Sequence, residues 1–143
     1  YVVRSHCRTG GAYNLASLHG VPSVLIERGQ LSLFSREEIE ADKADVRNIL
    51  RRLGVLDGDW TRYPKQELLD NDDAPCTGCW YPEKKPGDRF RKGEKLGEIR
   101  DYFGKSLFTE LAPADGVLLY QTASLNIIEK GPMVSYGVPR PDP

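Results

Sequence analysis

Residues 20–29 read Gly-Val-Pro-Ser-Val-Leu-Ile-Glu-Arg-Gly, and this stretch predicts the fold class of the first part of the chain. Gly20 ends a segment with helical spacing of apolar residues, as a glycine in the left-handed conformation commonly does. Pro22 stops the helix and is tolerated where a strand begins. The unbroken apolar run 24–26 is typical of a strand buried on both faces of a mostly parallel α/β sheet.

Glu27 follows that run directly, so it lies at the carboxyl end of the predicted strand. Open α/β sheets bind their ligands at this edge, which makes the Glu27 carboxylate a candidate functional group. From position alone, a strand-end glutamate that simply faces water is the commoner arrangement, because glutamate side chains are mostly exposed.

The composition argues against several classes of function. The 143 residues include 20 basic and 21 acidic side chains, a net charge of −1 that gives no electrostatic footprint for nucleic acid and no basic patch for a membrane. No apolar run approaches the ~20 residues of a transmembrane helix, and no signal peptide opens the sequence. Three cysteines cannot form a closed disulfide framework, so the reducing cytoplasm is the expected compartment.

A second helix is predicted over residues 36–53. Ser35 and Glu38 have the spacing of a capping box, and Gly54 is placed to end the helix. The apolar residues between them fall on one helical stripe: Ile39, Val46, Ile49, Leu50 and Leu53. The helix is therefore amphipathic, with one face available for packing.

Beyond residue 57, short apolar segments alternate with turn residues, which predicts strands. Residues 74–78 (Ala-Pro-x-x-Gly) recur as 112–116, and Lys-Gly at 92–93 recurs at 130–131, all at an offset of 38. At the same offset Phe90 and Leu96 match Ile128 and Val134. This pattern indicates a 38-residue internal repeat, two copies of one small unit related by a pseudo-twofold axis. The alternative is a coincidence of common turn residues.

Three segments resemble the succinylglutamate desuccinylase/aspartoacylase family of the zinc carboxypeptidase-like clan. Residues 20–29 resemble its Gly-x-Pro-(apolar)-Glu-x-Gly element, and residues 46–56 resemble its Asn-x-Leu-x-x-Leu-Gly-x-Leu helix end. Residues 86–99, followed by 112–116, resemble its C-terminal β module. Together the three segments cover nearly the whole chain.

The resemblance implies that this chain is the C-terminal part of a zinc-dependent hydrolase. Residues 1–57 would be an α/β segment, the end of a zinc-carboxypeptidase-like mixed sheet, and residues 58–143 an all-β barrel-sandwich domain like those of biotinyl and lipoyl carriers. Glu27 would be the general base that acts on a zinc-bound water to cleave the amide bond of an N-acyl amino acid or related small molecule. The zinc ligands of the family, a His-x-x-Glu pair and a later His, would lie upstream. The resemblance thus implies that this chain contains no metal ligand and is inactive alone. It is compatible with a homo-oligomer.

Several other residues are of types that could bind a metal ion or a substrate. Cys76 and Cys79 form a CxxC, but no second pair of cysteines or histidines follows, so ordinary β-turn residues are favoured over a zinc or redox site. His6 and His19 have no second acid placed to complete a ligand set, which favours structural or surface roles. Arg4, Arg8 and Arg28 lie near the expected catalytic edge of the sheet, where an arginine could bind a substrate carboxylate. Tyr102 and Tyr120 in the β module could cap the catalytic cleft. The spacing of these residues gives neither role any support.

Lys105 supplies an alternative from another class of protein. It lies between the two repeats, seven residues before Ala112, where carrier domains present a modified lysine on a hairpin. Its neighbours differ from those of carrier lysines, so an unmodified solvated lysine is favoured. The alternative function is a non-catalytic binding or carrier-like β module.

Overall fold

The computed structural model of the protein describes residues 2–3, 10–63, 65–68 and 72–139. The chain divides into two compact units. The helical unit is Ser5–Tyr63, and the sheet unit is Tyr1–Arg4 with Pro64–Pro143. In the described ranges the chain is mostly sheet with two helices, and neither helix is long and apolar enough to cross a membrane.

The helical unit contains α1 (Ala12–Leu18) and α2 (Arg36–Arg52). Gly20 has φ +78° and Gly54 has φ +72°, so both helices end in the left-handed geometry that the sequence predicts. The capping box is confirmed: the Glu38 N–H donates to Ser35 Oγ at 3.1 Å, and the Ser35 N–H donates to Glu38 Oε2 at 2.6 Å. The helix predicted over 36–53 therefore forms, and it ends one residue early.

The prediction of a buried strand over residues 24–26 is wrong. Residues 21–28 carry no strand, and the side chains of Val24, Leu25 and Ile26 are 58%, 53% and 37% exposed. A buried parallel strand needs a neighbouring strand to pair with and covered faces on both sides. The described part of the helical unit holds no strand, so the apolar run has no pairing partner there.

The sheet unit contains ten described strands. They are β1 (Val2–Val3), β2 (Lys65–Leu68), β3 (Asp72–Asp73), β4 (Gly78–Pro82), β5 (Arg89–Phe90), β6 (Lys95–Arg100), β7 (Ser106–Leu111), β8 (Gly116–Gln121), β9 (Asn126–Ile127) and β10 (Pro132–Pro139). One sheet has the order β1-β2-β10-β8-β5, with β3 also paired to β10, and the other has the order β7-β6-β4-β9. The pairing of β1 with β2 is parallel and the other pairings are antiparallel. The described strands form two separate sheets and no closed barrel.

The strand pairing is repeated within this unit. β4 pairs with β6 and β9, and β8 pairs in the same way with β10 and β5. The registers agree, since Gly78 lies opposite Ile127 and Gly116 lies opposite Phe90. Strands β3–β6 thus correspond in order to β7–β10. Each sheet combines two strands from the first set with two from the second.

The offset between corresponding residues changes along the repeat. Gly78 and Gly116 are 38 residues apart, but the backbone bonds place Lys130 where Gly93 lies in the first copy. The Gly93 N–H donates to Ala112 O at 2.8 Å, and the Lys130 N–H donates to Ala74 O at 2.8 Å. The second copy is therefore one residue shorter between β8 and β9. Phe90 and Leu96 accordingly match Ile127 and Met133, one residue before the positions predicted from the sequence.

The hydrophobic core lies in the sheet unit, between the two sheets. Its buried members form corresponding pairs: Ala74 and Ala112, Trp80 and Leu118, Phe90 and Ile127, Leu96 and Met133, Ile99 and Tyr136. Val134 completes the cluster, and its counterpart is Gly97. A Cβ on Gly97 would lie 2.5 Å from Trp80 Cη2, so the missing side chain makes room for the indole. In the second copy the corresponding positions hold Leu118 and Val134, and both are buried in the same cluster.

Candidate functional site

Glu27 lies in an exposed segment without regular secondary structure, between the two helices. Among the described residues, no hydrogen bond or ion pair engages its carboxylate. Such a side chain is free to accept a proton or a ligand. The structure supplies the position of Glu27, and its assignment as a general base stays a prediction.

Arg28, the next residue, is bound to α2 by two carboxylates. Its Nε donates to Asp42 Oδ1 at 2.7 Å, and its Nη2 donates to Asp45 Oδ2. Asp42 and Asp45 are three residues apart, so they lie on one face of the helix. The two acidic partners raise the pKa of the Arg28 guanidinium above its ordinary value, chiefly through the hydrogen bond with Asp42.

The segment after α2 binds to the same helix. Thr61 N–H donates to Asn48 Oδ1 and Asn48 Nδ2 donates to Thr61 O, both at 2.8 Å. The Tyr63 hydroxyl donates to Asp45 Oδ1 at 2.9 Å, and this bond raises the pKa of Tyr63. Thr61 and Tyr63 are therefore bound to α2, and the domain boundary predicted after residue 57 stays a prediction.

Gly29 begins a tight turn immediately after Arg28. Its φ is +79°, and a Cβ at this position would lie 2.8 Å from the carbonyl oxygen of Leu33. The Leu33 N–H donates to Gln30 O at 2.8 Å, and the two residues between them, Leu31 and Ser32, have φ of 50° and 58°. Positive φ at both central residues is typical of a type I′ turn. The turn requires glycine at position 29.

The described residues contain no cluster of three or more histidine, cysteine, aspartate or glutamate side chains that could hold a metal ion. His19 is exposed at the end of α1. Cys76 lies half-buried in a turn against the core, and Cys79 is buried in β4; both are free thiols. His6, Arg4 and Arg8 lie outside the described residues.

Lys105 closes the hairpin turn between β6 and β7, where the Asp101 N–H donates to Lys105 O at 2.9 Å. The Asp101 carboxylate accepts from the backbone N–H groups of Phe103 and Lys105, both at 2.9 Å. The tip residue is Phe103, which is 97% exposed, and Lys105 lies at the base of the hairpin beside β7. This placement gives no support to the carrier alternative, which needs the lysine at the tip.

The two candidate cap residues lie in the sheet unit. Tyr102 is exposed, and its hydroxyl donates to Asn126 Oδ1 at 3.2 Å. Tyr120 lies in β8 and is 45% exposed. Their proposed role over a cleft stays a prediction.

Sequence reasoning missed the anchoring role of Asp42 and Asp45. Their spacing on the polar side of α2, with an arginine on the neighbouring segment, was the available signal. It was weak, because acidic residues on a solvated helix face usually have no fixed partner.

Comparison with known proteins identifies the fold. No family model and no curated protein matches the sequence. A solved succinylglutamate desuccinylase/aspartoacylase from Rhodobacter sphaeroides superposes with a TM-score of 0.78 at 20% identity, over 92% of this chain and 44% of that one. A succinylglutamate desuccinylase from Silicibacter sp. TM1040 gives 0.76 at 18% identity, over 96% and 44%. The apo ectoine utilization protein EutE (DoeB) from Ruegeria pomeroyi gives 0.78 at 20%, over 95% and 46%.

This chain therefore has the fold found in solved proteins of the succinylglutamate desuccinylase/aspartoacylase family. The resemblance seen in the sequence is confirmed at the level of fold, across more than nine-tenths of the chain in these superpositions. The chain spans less than half the length of the solved proteins.

Proposed function

We propose that this chain is the C-terminal part of a hydrolase that cleaves the amide bond of an N-acyl amino acid or a related small molecule. The observation that carries the proposal is the shared fold over 92% of this chain, combined with the three sequence motifs in family order. The repeated, interleaved strands of the sheet unit support the proposal that residues 58–143 form a barrel-sandwich domain.

The exposed apolar surface of the helical unit supports a larger domain. No described side chain in residues 10–63 is fully buried, although the unit carries many large apolar residues. They lie on the linker between the helices (residues 19–35), on α2 and at its C-cap, and include Val24, Leu25, Leu33, Phe34, Val46 and Leu53, each between 47% and 77% exposed. An apolar surface of this kind is normally covered by other protein. The proposal assigns that cover to the rest of an α/β domain.

Glu27 is the proposed general base. Its carboxylate would take a proton from the attacking water and pass it to the leaving amine. The absence of a partner for this carboxylate among the described residues supports the role, because a base must be free to accept the proton. The turn at Gly29 and the anchor at Arg28 support it further, because they limit the movement of the segment.

Zinc is part of the proposal, but the described residues do not fit a zinc site. A hydrolytic zinc needs three protein ligands, and the described residues hold no cluster of three. As the resemblance implies, the zinc would be held by residues upstream of this chain, and the chain alone is expected to be inactive.

The test uses the intact protein that contains this chain. Glu27→Gln should keep the fold while kcat for N-acyl amino acid hydrolysis falls by roughly 10²–10⁴-fold, the usual weight of a positioned acid–base group. The change preserves size and removes only the ability to accept a proton. Glu129→Gln, an exposed residue of the sheet unit, is the matched control and should leave kcat unchanged.

Two outcomes would contradict the proposal. Full activity in a folded Glu27→Gln protein would remove Glu27 as the base. An intact wild-type protein that hydrolyses no N-acyl amino acid, with its metal content established by elemental analysis, would remove the proposed activity.

A further inference from the structure

Arg28 connects the segment that carries Glu27 to the helix that follows it. Its guanidinium contacts Asp42 and Asp45, and its side chain is only 37% exposed. The Asp45 side chain is 20% exposed, and its second oxygen accepts from Tyr63. The pairing therefore joins three segments of the helical unit: the linker, α2 and residues 57–63.

This arrangement changes the interpretation of Arg28. A free arginine beside Glu27 could bind the carboxylate of a substrate through two parallel hydrogen bonds. Here Nε and Nη2 are already directed at two aspartates, whose combined charge exceeds that of one guanidinium. A substrate carboxylate would have to displace one of them. Arg28 is thus built into the fold.

The Arg28 side chain and the turn that follows it restrict the backbone next to Glu27. Adjacent Cα atoms are about 3.8 Å apart, so anchoring Arg28 restricts the position of Glu27. On the other side, Gly29 enters the tight turn closed by Gln30 and Leu33. Glu27 is therefore the last free side chain before two constrained residues.

We propose that Arg28 is a positioning residue that holds the Glu27 carboxylate in its working place through the ion pairs with Asp42 and Asp45. This inference rests on the proposed function of Glu27. Arg28 touches no substrate in this scheme; it acts by fixing the backbone next to the base. A displacement of about 1 Å at a reacting group can cost about 10²-fold in rate, so loss of this anchor should be visible in kcat.

The test compares kcat with KM in the intact protein. Arg28→Gln should lower kcat by about 10- to 100-fold and change KM by less than about twofold. A substrate-binding arginine would instead raise KM. Arg47→Gln is the matched control, because Arg47 is exposed on α2 and has no ion pair among the described residues; it should leave both constants unchanged.

A second comparison separates this inference from the proposed function. In a Glu27→Gln background, Arg28→Gln should cause no further loss of kcat, because Arg28 acts only through Glu27. If Glu27→Gln is inactive and Arg28→Gln has normal kcat, the positioning role is wrong while the base survives. If Glu27→Gln itself is fully active, the proposed function fails first.

A milder variant serves as the control for a possible folding defect of Arg28→Gln. Asp42→Asn keeps the pair between Arg28 and Asp45 and should lower kcat by a few-fold, with Tm measured alongside. Should Arg28→Gln fail to fold, Asp42→Asn decides the question. A folded Asp42→Asn protein with wild-type kcat, or a rise in KM in place of a fall in kcat, would overturn the inference.

Discussion

At the scale of single residues, Lys130 occupies a backbone position that favours glycine. Its φ is +64°, and its counterpart in the first repeat is Gly93 with φ +82°. For a residue with a Cβ, the left-handed conformation costs about 1–2 kcal/mol. Lys130 therefore keeps a strained turn that the first copy of the repeat makes without strain.

Replacing Lys130 should show this strain directly. We expect Lys130→Gly to raise the free energy of unfolding by about 0.5–1 kcal/mol, because glycine adopts positive φ at little cost. Chemical denaturation followed by circular dichroism measures the change. Lys92→Gly is the matched control, since Lys92 precedes Gly93 and does not have positive φ; it should destabilise the protein. Equal losses in both variants would contradict the strain at Lys130.

At the scale of elements, β4 and β6 pack closely because a large side chain on β4 lies against a glycine on β6. The Trp80 ring lies against Gly97, while the corresponding positions of the second repeat hold Leu118 and Val134. The two copies thus have the same strand geometry with different side chains. The pairing of large with small was not predictable from the sequence, because it depends on which residues face each other across the sheets.

A pair of substitutions tests this packing. Gly97→Val alone should destabilise the chain by about 3 kcal/mol, because the new Cβ would overlap the Trp80 ring and would also lie 2.8 Å from the carbonyl oxygen of Tyr81. Trp80→Leu alone should cost about 2–4 kcal/mol through the cavity it leaves. The double variant copies the Leu118 and Val134 arrangement, so its loss should be at least about 1 kcal/mol smaller than the sum. Strict additivity, measured by chemical denaturation, would show that the two sites do not share space.

The elements also show what the sequence could predict. The capping box and the glycine ends located both helices, because these signals act within a few residues. The strand over 24–26 was wrong, because an apolar run specifies burial without specifying a partner. At the candidate site, Glu27 came from a motif, whereas the Arg28 anchor depended on contacts 14 and 17 residues away.

At the scale of the whole molecule, the two units differ in how they are stabilised. The described core lies entirely in the sheet unit, and residues 10–63 contain no fully buried side chain. Local stability follows buried apolar contacts, so the units should open at different free energies. Hydrogen exchange of this chain in isolation should show backbone amides of β6 protected far more strongly than those of α2. Comparable protection in both would mean that the helical unit is stabilised without the cover proposed for it.

The order of strands in the larger sheet has a consequence for synthesis on the ribosome. β10 lies between β2 and β8, although it comes last among the described strands. During synthesis, the edges of β2 and β8 that pair with β10 stay unpaired until residues 132–139 have left the ribosome. Pairings between distant parts of a chain form slowly, and exposed strand edges favour aggregation in the interval. Nascent chains halted shortly before β10 should therefore depend on chaperones more than the completed chain does.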